Sequence, residues 1–275
     1  MKDFCLELAS KQTGFNTKLN IMREYLQAYA LRTLQDDGAF RSMAFVGGTA
    51  LRFLHALPRF SEDLDFSLEG KKNTRPFSVI IKKIKEEFIL AGYNVTATYN
   101  DEKTVQHAFL KFEGLMHEAG ISPHKDQRLS IKIKIDTRPP EGAILETKIV
   151  NKYFPLSFLS YDLSSLFAGK FHALLSRKYT KGRDFFDLGW YLSRWKDLSP
   201  NTALLKNALK QSGWKREFPT QDNWSQYVSQ VVKKVDWKKI KQDVQNFLEN
   251  PSDLAAFSQE NVLRLVSLAG TRAKE

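Results

Sequence analysis

The stretch Phe45-Val46-Gly47-Gly48-Thr49-Ala50-Leu51-Arg52, followed by Arg59-Phe60-Ser61-Glu62-Asp63-Leu64-Asp65-Phe66, decides the reading of the chain. Met43 to Val46 is a short apolar run closed by two glycines, which predicts a buried strand and a tight turn. A short helix is expected from about Thr49 to Leu57. Neither glycine has a Cβ, so the backbone can approach a ligand closely. Free N–H groups at the start of the next helix favour an anion such as phosphate. Leu64 to Leu68 predicts a second strand, whose alternation sets Asp63, Asp65 and Ser67 on one face and Leu64, Phe66 and Leu68 on the other. Two carboxylates on one strand face repel unless a cation lies between them, and hard oxygen ligands at this spacing suit Mg²⁺ or Mn²⁺. Taken singly, the glycines are also an ordinary turn and the acidic pair an ordinary solvated strand face.

Working outward, residues before Asp37-Gly38 read as helix, with apolar side chains at helical spacing through Asn20 to Leu31. A further helix carries Ile80, Ile84 and Phe88 on one face and ends at Gly92. Val95 to Tyr99, Val105 to Phe112, Leu129 to Thr137 and Glu146 to Tyr153 read as strands, and Gly114 to Gln127 as a loop with room for a short helix. Leu129 to Asp136 alternates strictly: Leu129, Ile131, Ile133 and Ile135 form one face, Ser130, Lys132, Lys134 and Asp136 the other. If this strand neighbours that of Asp63, Asp136 completes a carboxylate triad; alone it is a strand-end residue before the turn Thr137-Arg138-Pro139. From Ser160 the texture is helical, punctuated by Pro200, Gly213, Pro219 and Pro251. The expected fold class is therefore α/β (α+β), with a mixed β-sheet N-terminal lobe at residues 1–155, including N-terminal helices, and an all-helical C-terminal lobe at residues 156–275.

Composition sets the outer bounds. The 275 residues are 42% hydrophobic and 12% aromatic, enough for a substantial core and against wholesale disorder. No long apolar run predicts a membrane span, and Met1-Lys2-Asp3-Phe4-Cys5 lacks a secretory apolar segment, so a cytoplasmic location is expected. The single cysteine, Cys5, excludes an internal disulfide framework. The formal net charge of +11 points to an anionic partner, of which nucleic acid is the commonest large one.

Together the three elements describe a two-metal centre for nucleotidyl transfer. Gly47, Gly48 and Thr49 cradle a triphosphate, Asp63 and Asp65 bind metal, and Asp136 shares a metal and acts on the incoming hydroxyl. On the Leu163-to-Lys178 helix, Lys170 falls in the apolar stripe formed by Leu163, Leu166, Phe167 and Leu174. Asp184 falls similarly among Leu188, Tyr191, Leu192 and Trp195 on the next helix. A charge in an apolar stripe needs a partner. Lys170 and Asp184 either pair across adjacent helices, or Lys170 reaches a nucleotide phosphate while Asp184 positions Lys170 or the base. Asp187, at the stripe's edge, reads as structural. Arg59 could approach a phosphate bidentately, and Ser61 flanks the loop entering the metal strand. His55, His107, His117, His124 and His172 share no metal-ligand spacing. The stretches Lys82-Lys83-Ile84-Lys85 and Lys233 to Lys241, the latter with Trp237 interleaved, fit either an RNA-backbone funnel or solvated helix faces.

The segment from Phe45 to Phe66 resembles the AbiEii/MenT nucleotidyltransferase toxins of the DNA polymerase β-like nucleotidyltransferase superfamily: glycines, Arg59, Ser61 and both carboxylates fall in order. A second block of that family is matched by Leu166-Phe167-Ala168-Gly169-Lys170-Phe171-His172-Ala173-Leu174-Leu175 and Lys181-Gly182-Arg183-Asp184-Phe185-Phe186-Asp187-Leu188, although Gly169 stands where members commonly carry glutamate. The resemblance covers roughly residues 20–195. It implies a nucleotidyltransferase-type sheet lobe, an active site facing the helical lobe, Mg²⁺ or Mn²⁺, and a nucleoside triphosphate (NTP) donor. It also implies a toxin of a toxin–antitoxin or phage-defence system with a cognate antitoxin, and an RNA acceptor, the tRNA 3′ end in the MenT branch. The alternatives are transfer to a small-molecule or protein hydroxyl, and a non-catalytic basic RNA- or partner-binding protein on the same scaffold.

Overall fold

The computed structural model describes residues 1–70 and 75–272. The chain divides into two compact units, one of Met1–Pro139 with Glu146–Ser160, the other of Pro140–Leu145 with the residues from Tyr161 onward.

The first unit is built on β1 (Met43–Val46), β2 (Asp63–Leu68), β3 (Val95–Asn100), β4 (Val105–Phe112), β5 (Leu129–Asp136), β6 (Leu145–Asn151) and β7 (Pro155–Tyr161). They form one mixed sheet in the order β3-β4-β5-β2-β1-β7-β6. β1 runs antiparallel to β2 and β2 parallel to β5, while β4 is antiparallel to both β5 and β3. The alternation of β5 has its expected consequence: Leu129, Ile131, Ile133 and Ile135 are buried in a core with Leu64, Phe66, Leu110 and Phe112. Two helices supply the other side of that core, α2 (Phe15–Asp36) through Met22, Leu26 and Leu31, and α4 (Phe77–Leu90) through Ile81, Ile84 and Phe88. α1 (Lys2–Ser10) adds buried Cys5 and Ala9.

Two segments depart from expectation. α3 (Gly47–His55) begins at the glycines themselves, not after them. β7 was not foreseen, because Phe154-Pro155 reads as a boundary. Yet Leu156, Phe158 and Ser160 alternate inward, Phe45 pairs with Ser160, and Ser160 Oγ donates to Phe45 O at 2.8 Å.

α3 is anchored to α2 by a buried charge. Glu24 accepts from Arg52 Nε at 2.6 Å and from the Tyr153 hydroxyl at 2.9 Å, and Lys152 Nζ lies 2.8 Å from it. Arg52 also donates to Leu57 O at 3.0 Å and lies 4.7 Å from the Phe60 ring centroid. Burial, together with the neighbouring Glu24 charge, raises the Tyr153 pKa, so its phenol remains a donor to that carboxylate. One helical turn on, buried Gln27 donates to Ser61 O at 3.1 Å and Glu62 O at 2.9 Å. α2 therefore fixes both the helix after the glycines and the loop entering β2.

The first unit also holds the short α5 (Leu115–Glu118), and the second contains α6 (Leu163–Ser176), α7 (Gly182–Arg194), α8 (Thr202–Gln211), α9 (Trp224–Lys234), α10 (Trp237–Gln245), the short α11 (Asp253–Ala256) and α12 (Gln259–Arg272). Side chains of Asp162, Asn201 and Asp236 cap α6, α8 and α10. Stacking of Phe167 on Tyr191 at 4.8 Å, with Trp224 edge-on to Phe167 at 5.6 Å, packs its interior.

Removing one partner of a buried ion pair strands the other charge. Arg52→Met should therefore cost about 3 kcal/mol in urea unfolding, with much of the loss recovered when Glu24→Gln is added. A cost below about 1 kcal/mol would show that Lys152 and Tyr153 suffice to hold Glu24.

Candidate active site

Antiparallel pairing sets Val46 opposite Asp65, so the first residue of α3 lies against that carboxylate. Gly47 has φ +80°, and a Cβ there would lie 2.6 Å from Asp65 Oδ2. Glycine is thus required twice, for its backbone conformation and for the space the carboxylate fills. The α3 N-cap is Val46, whose side chain has no polar atom and makes no capping bond to the leading N–H groups. N–H groups at such a helix start favour an anion, here beside the acidic strand.

Asp63 and Asp65 project together from β2, with side chains 29% and 33% exposed. A cation joins them. β5 pairs Lys132 with Asp63 and Lys134 with Asp65, and Lys134 Nζ bonds to Asp63 Oδ2 and lies 3.3 Å from Asp65 Oδ1. Burial works against the Lys134 charge, but Asp65 and Asp63 together outweigh it and hold its pKa above the ordinary lysine value. Two hard carboxylates, partly open to solvent, converge on one positive centre, the Lys134 ammonium. That donor set fits a divalent cation.

The other sequence-derived residues separate into those this geometry gathers and those it does not. Asp136 lies on the same face but opposite Ser67, two register positions beyond Asp65 and Lys134. Its Oδ1 accepts from Arg138 N at 3.0 Å, which is the turn role open to it from sequence. The expected three-carboxylate triad is therefore not assembled: among the described residues no group of three His, Cys, Asp or Glu is placed to hold a metal. Thr49 is fully buried and its hydroxyl donates to Asp63 O, so its side chain ties α3 to β2 and does not face a triphosphate. Arg59, expected at a phosphate, is 2% exposed and donates to Phe60 O at 2.8 Å; a guanidinium so enclosed orders the loop. Gly48 is buried and Ser61 half-buried, and Ser61 is held through its carbonyl by Gln27.

In the second unit Lys170 bridges two buried carboxylates, Asp187 Oδ2 at 2.6 Å and Asp184 Oδ1 at 3.3 Å. Arg177 bonds the other oxygen of Asp184. The pairing alternative for Lys170 and Asp184 is thus the observed arrangement, and Asp187, expected to be structural, is the shorter of the two partners of Lys170. His172 Nε2 lies 3.1 Å from Ser212 Oγ; burial, and secondarily Arg177, lowers its pKa. Sequence reasoning missed Lys134, Glu24, Gln27 and Arg177. Only Lys134 left a signal, its place on the polar face of β5, which lacks meaning until the register with β2 is known.

A glycine-started helix facing a D-x-D strand on a mixed sheet has the parts a nucleotidyltransferase site needs. The chain belongs to the family described as "Nucleotidyl transferase AbiEii toxin, Type IV TA system", whose model matches residues 29–259. Solved structures share the fold. A putative nucleotidyltransferase from H. pylori is 19% identical with a TM-score of 0.56, the match covering 93% of this chain and 95% of that one. JHP933 from Helicobacter pylori is 20% identical with a TM-score of 0.51, covering 92% and 90%. MenT4, the nucleotidyltransferase toxin Rv2826c from Mycobacterium tuberculosis H37Rv, is 14% identical with a TM-score of 0.55, covering 98% and 89%. No curated protein sequence matches the chain.

Gly47→Ala should cut nucleotidyl transfer on the order of 100-fold, because it displaces Asp65 or the α3 start by a fraction of the ångström scale on which reacting groups must align. Circular dichroism should remain that of the wild type. Activity within a few fold of wild type would show that the Gly47–Asp65 contact does not set the site.

Proposed function

We propose that the protein is the toxin of a toxin–antitoxin pair and transfers a nucleotide from an NTP to an RNA hydroxyl, with the tRNA 3′ end as the acceptor to test first. The observation that carries this reading is the convergence of Asp63 and Asp65 on one cation beside the uncapped start of α3. A divalent metal held there would neutralise the triphosphate and lower the barrier to displacement of pyrophosphate. Asp63 and Asp65 would hold it, and the Gly47 and Gly48 backbone would receive phosphate oxygens. Asp136, on the same face two register positions further along, would take the proton of the acceptor hydroxyl as its oxygen bonds to the α-phosphorus and the bond to the β-phosphate oxygen breaks. Within their own unit, Asp184 and Asp187 hold Lys170, and the reading keeps Lys170 as a phosphate-contacting lysine oriented by them. The net charge of +11 supports a polyanionic acceptor, and no described helix is long and apolar enough to cross a membrane. Family membership supports a cognate antitoxin, and the reading places that pair in phage defence.

The test is incorporation of each labelled NTP into total tRNA with Mg²⁺ or Mn²⁺, using Asp65→Ala as control. The expected result is label on RNA that disappears in Asp65→Ala, a loss of at least about 1,000-fold if the carboxylate supplies several kcal/mol of metal-borne charge stabilisation. Label on the protein or on small molecules would replace the RNA acceptor. No transfer with either metal would overturn the enzymatic reading.

A further inference from the structure

The polar face of the sheet does not end at the carboxylates. Register extends it in two rows across the strands. One runs from Asp63 through Lys132 and Phe109 to Thr98, the other from Asp65 through Lys134 and His107 to Asn100. A third pair, Lys111 opposite Thr96, lies alongside. These side chains alternate with the buried set of β4 and β5 and are half-buried or exposed, whereas α2 and α4 pack against the opposite face. Phe109 is a large apolar ring on this otherwise polar surface. Lys132 Nζ lies 4.9 Å from its centroid, and the His107 ring lies 6.1 Å away, edge to face. Lys132 and Lys111 have no carboxylate partner among the described residues. At about 4.8 Å between strands, the row from Asp63 to Thr98 spans roughly 14 Å.

A sheet face carrying an aromatic ring, unpaired lysines and small hydroxyl or amide side chains has the chemistry that holds a single nucleic-acid strand: bases stack on the ring and phosphates meet the cations. Both rows begin at the residues argued to do the chemistry, so a strand lying along them delivers its end to the metal pair. We propose that the β3–β4–β5 face is the acceptor platform, that Phe109 stacks a base near the 3′ end of a single-stranded RNA, and that Lys132 and Lys111 meet its phosphates. Lys132 exchanges the Phe109 ring for a phosphate when the strand arrives. The proposal rests on the RNA-acceptor reading and names the surface that reading leaves unassigned, in place of the Lys233-to-Lys241 stretch.

The test is fluorescence anisotropy with the full chain and a short labelled single-stranded RNA, comparing wild type with Phe109→Leu, Lys132→Gln and Lys238→Gln. Loss of one stacked base predicts that Phe109→Leu weakens binding about 5- to 100-fold. Lys132→Gln should lower the slope of log affinity against log salt by about 0.7. Lys238→Gln should bind like wild type. Phe109 lies outside the core, and unchanged Mn²⁺ affinity of Phe109→Leu in the absence of RNA would show the fold and the carboxylate pair intact. RNA binding that is normal in Phe109→Leu and Lys132→Gln overturns the platform and leaves the RNA reading standing. Wild type that binds no RNA overturns both. Polyglutamate bound with the same sensitivity to Phe109→Leu would make the face a general docking surface and overturn the assignment to RNA.

Discussion

The contact between Gly47 and the Asp65 carboxylate is the constraint on which the rest of the site depends. It arises because β1 and β2 pair antiparallel with Val46 opposite Asp65, so the turn into α3 must pass directly over an acidic side chain. Only a residue without a Cβ passes there, and only a helix start without a side-chain cap leaves its N–H groups available. Positive helix end and negative strand face are thereby held side by side, an arrangement that would suit the metal–triphosphate complex proposed above.

Holding such opposed features in place takes charge inside the first unit. Glu24 is buried with Arg52, Tyr153 and Lys152 around it, which fixes α3 against α2. Gln27 holds the carbonyls of Ser61 and Glu62, which fixes the approach to β2. Thr49 then closes α3 onto Asp63 O. The second unit uses the same device independently: Lys170 and Arg177 neutralise Asp184 and Asp187 in an otherwise apolar helix pair. Lys134 differs from these cations because it is tied to carboxylates that are about a third exposed.

Much of this was legible in the chain. Period-two alternation gave β5 and its faces, the glycines with the D-x-D pair gave the turn and the acidic strand, and α2 and α4 followed from helical spacing. What alternation cannot give is register. Face alone groups Asp136 with Asp63 and Asp65, but pairing puts Lys134 opposite Asp65 and sends Asp136 two register positions further, to the turn at Arg138. Burial is the second quantity hidden from sequence. Thr49 and Arg59 look like ligands beside a phosphate turn, and both are enclosed and bonded to backbone carbonyls. β7 escaped because Pro155 marks a boundary in composition, while the strand beyond it is defined by its long-range partner β1.

The central claim is that Asp63 and Asp65 form a divalent-cation site for which Lys134 is the resident substitute. It is tested most directly by a crystal structure of the protein grown with Mn²⁺ and measured for anomalous scattering. The account predicts an anomalous peak coordinated by both carboxylates, with Lys134 Nζ moved off them. Manganese elsewhere, with Lys134 still bridging Asp63 and Asp65 at saturating metal, would contradict it.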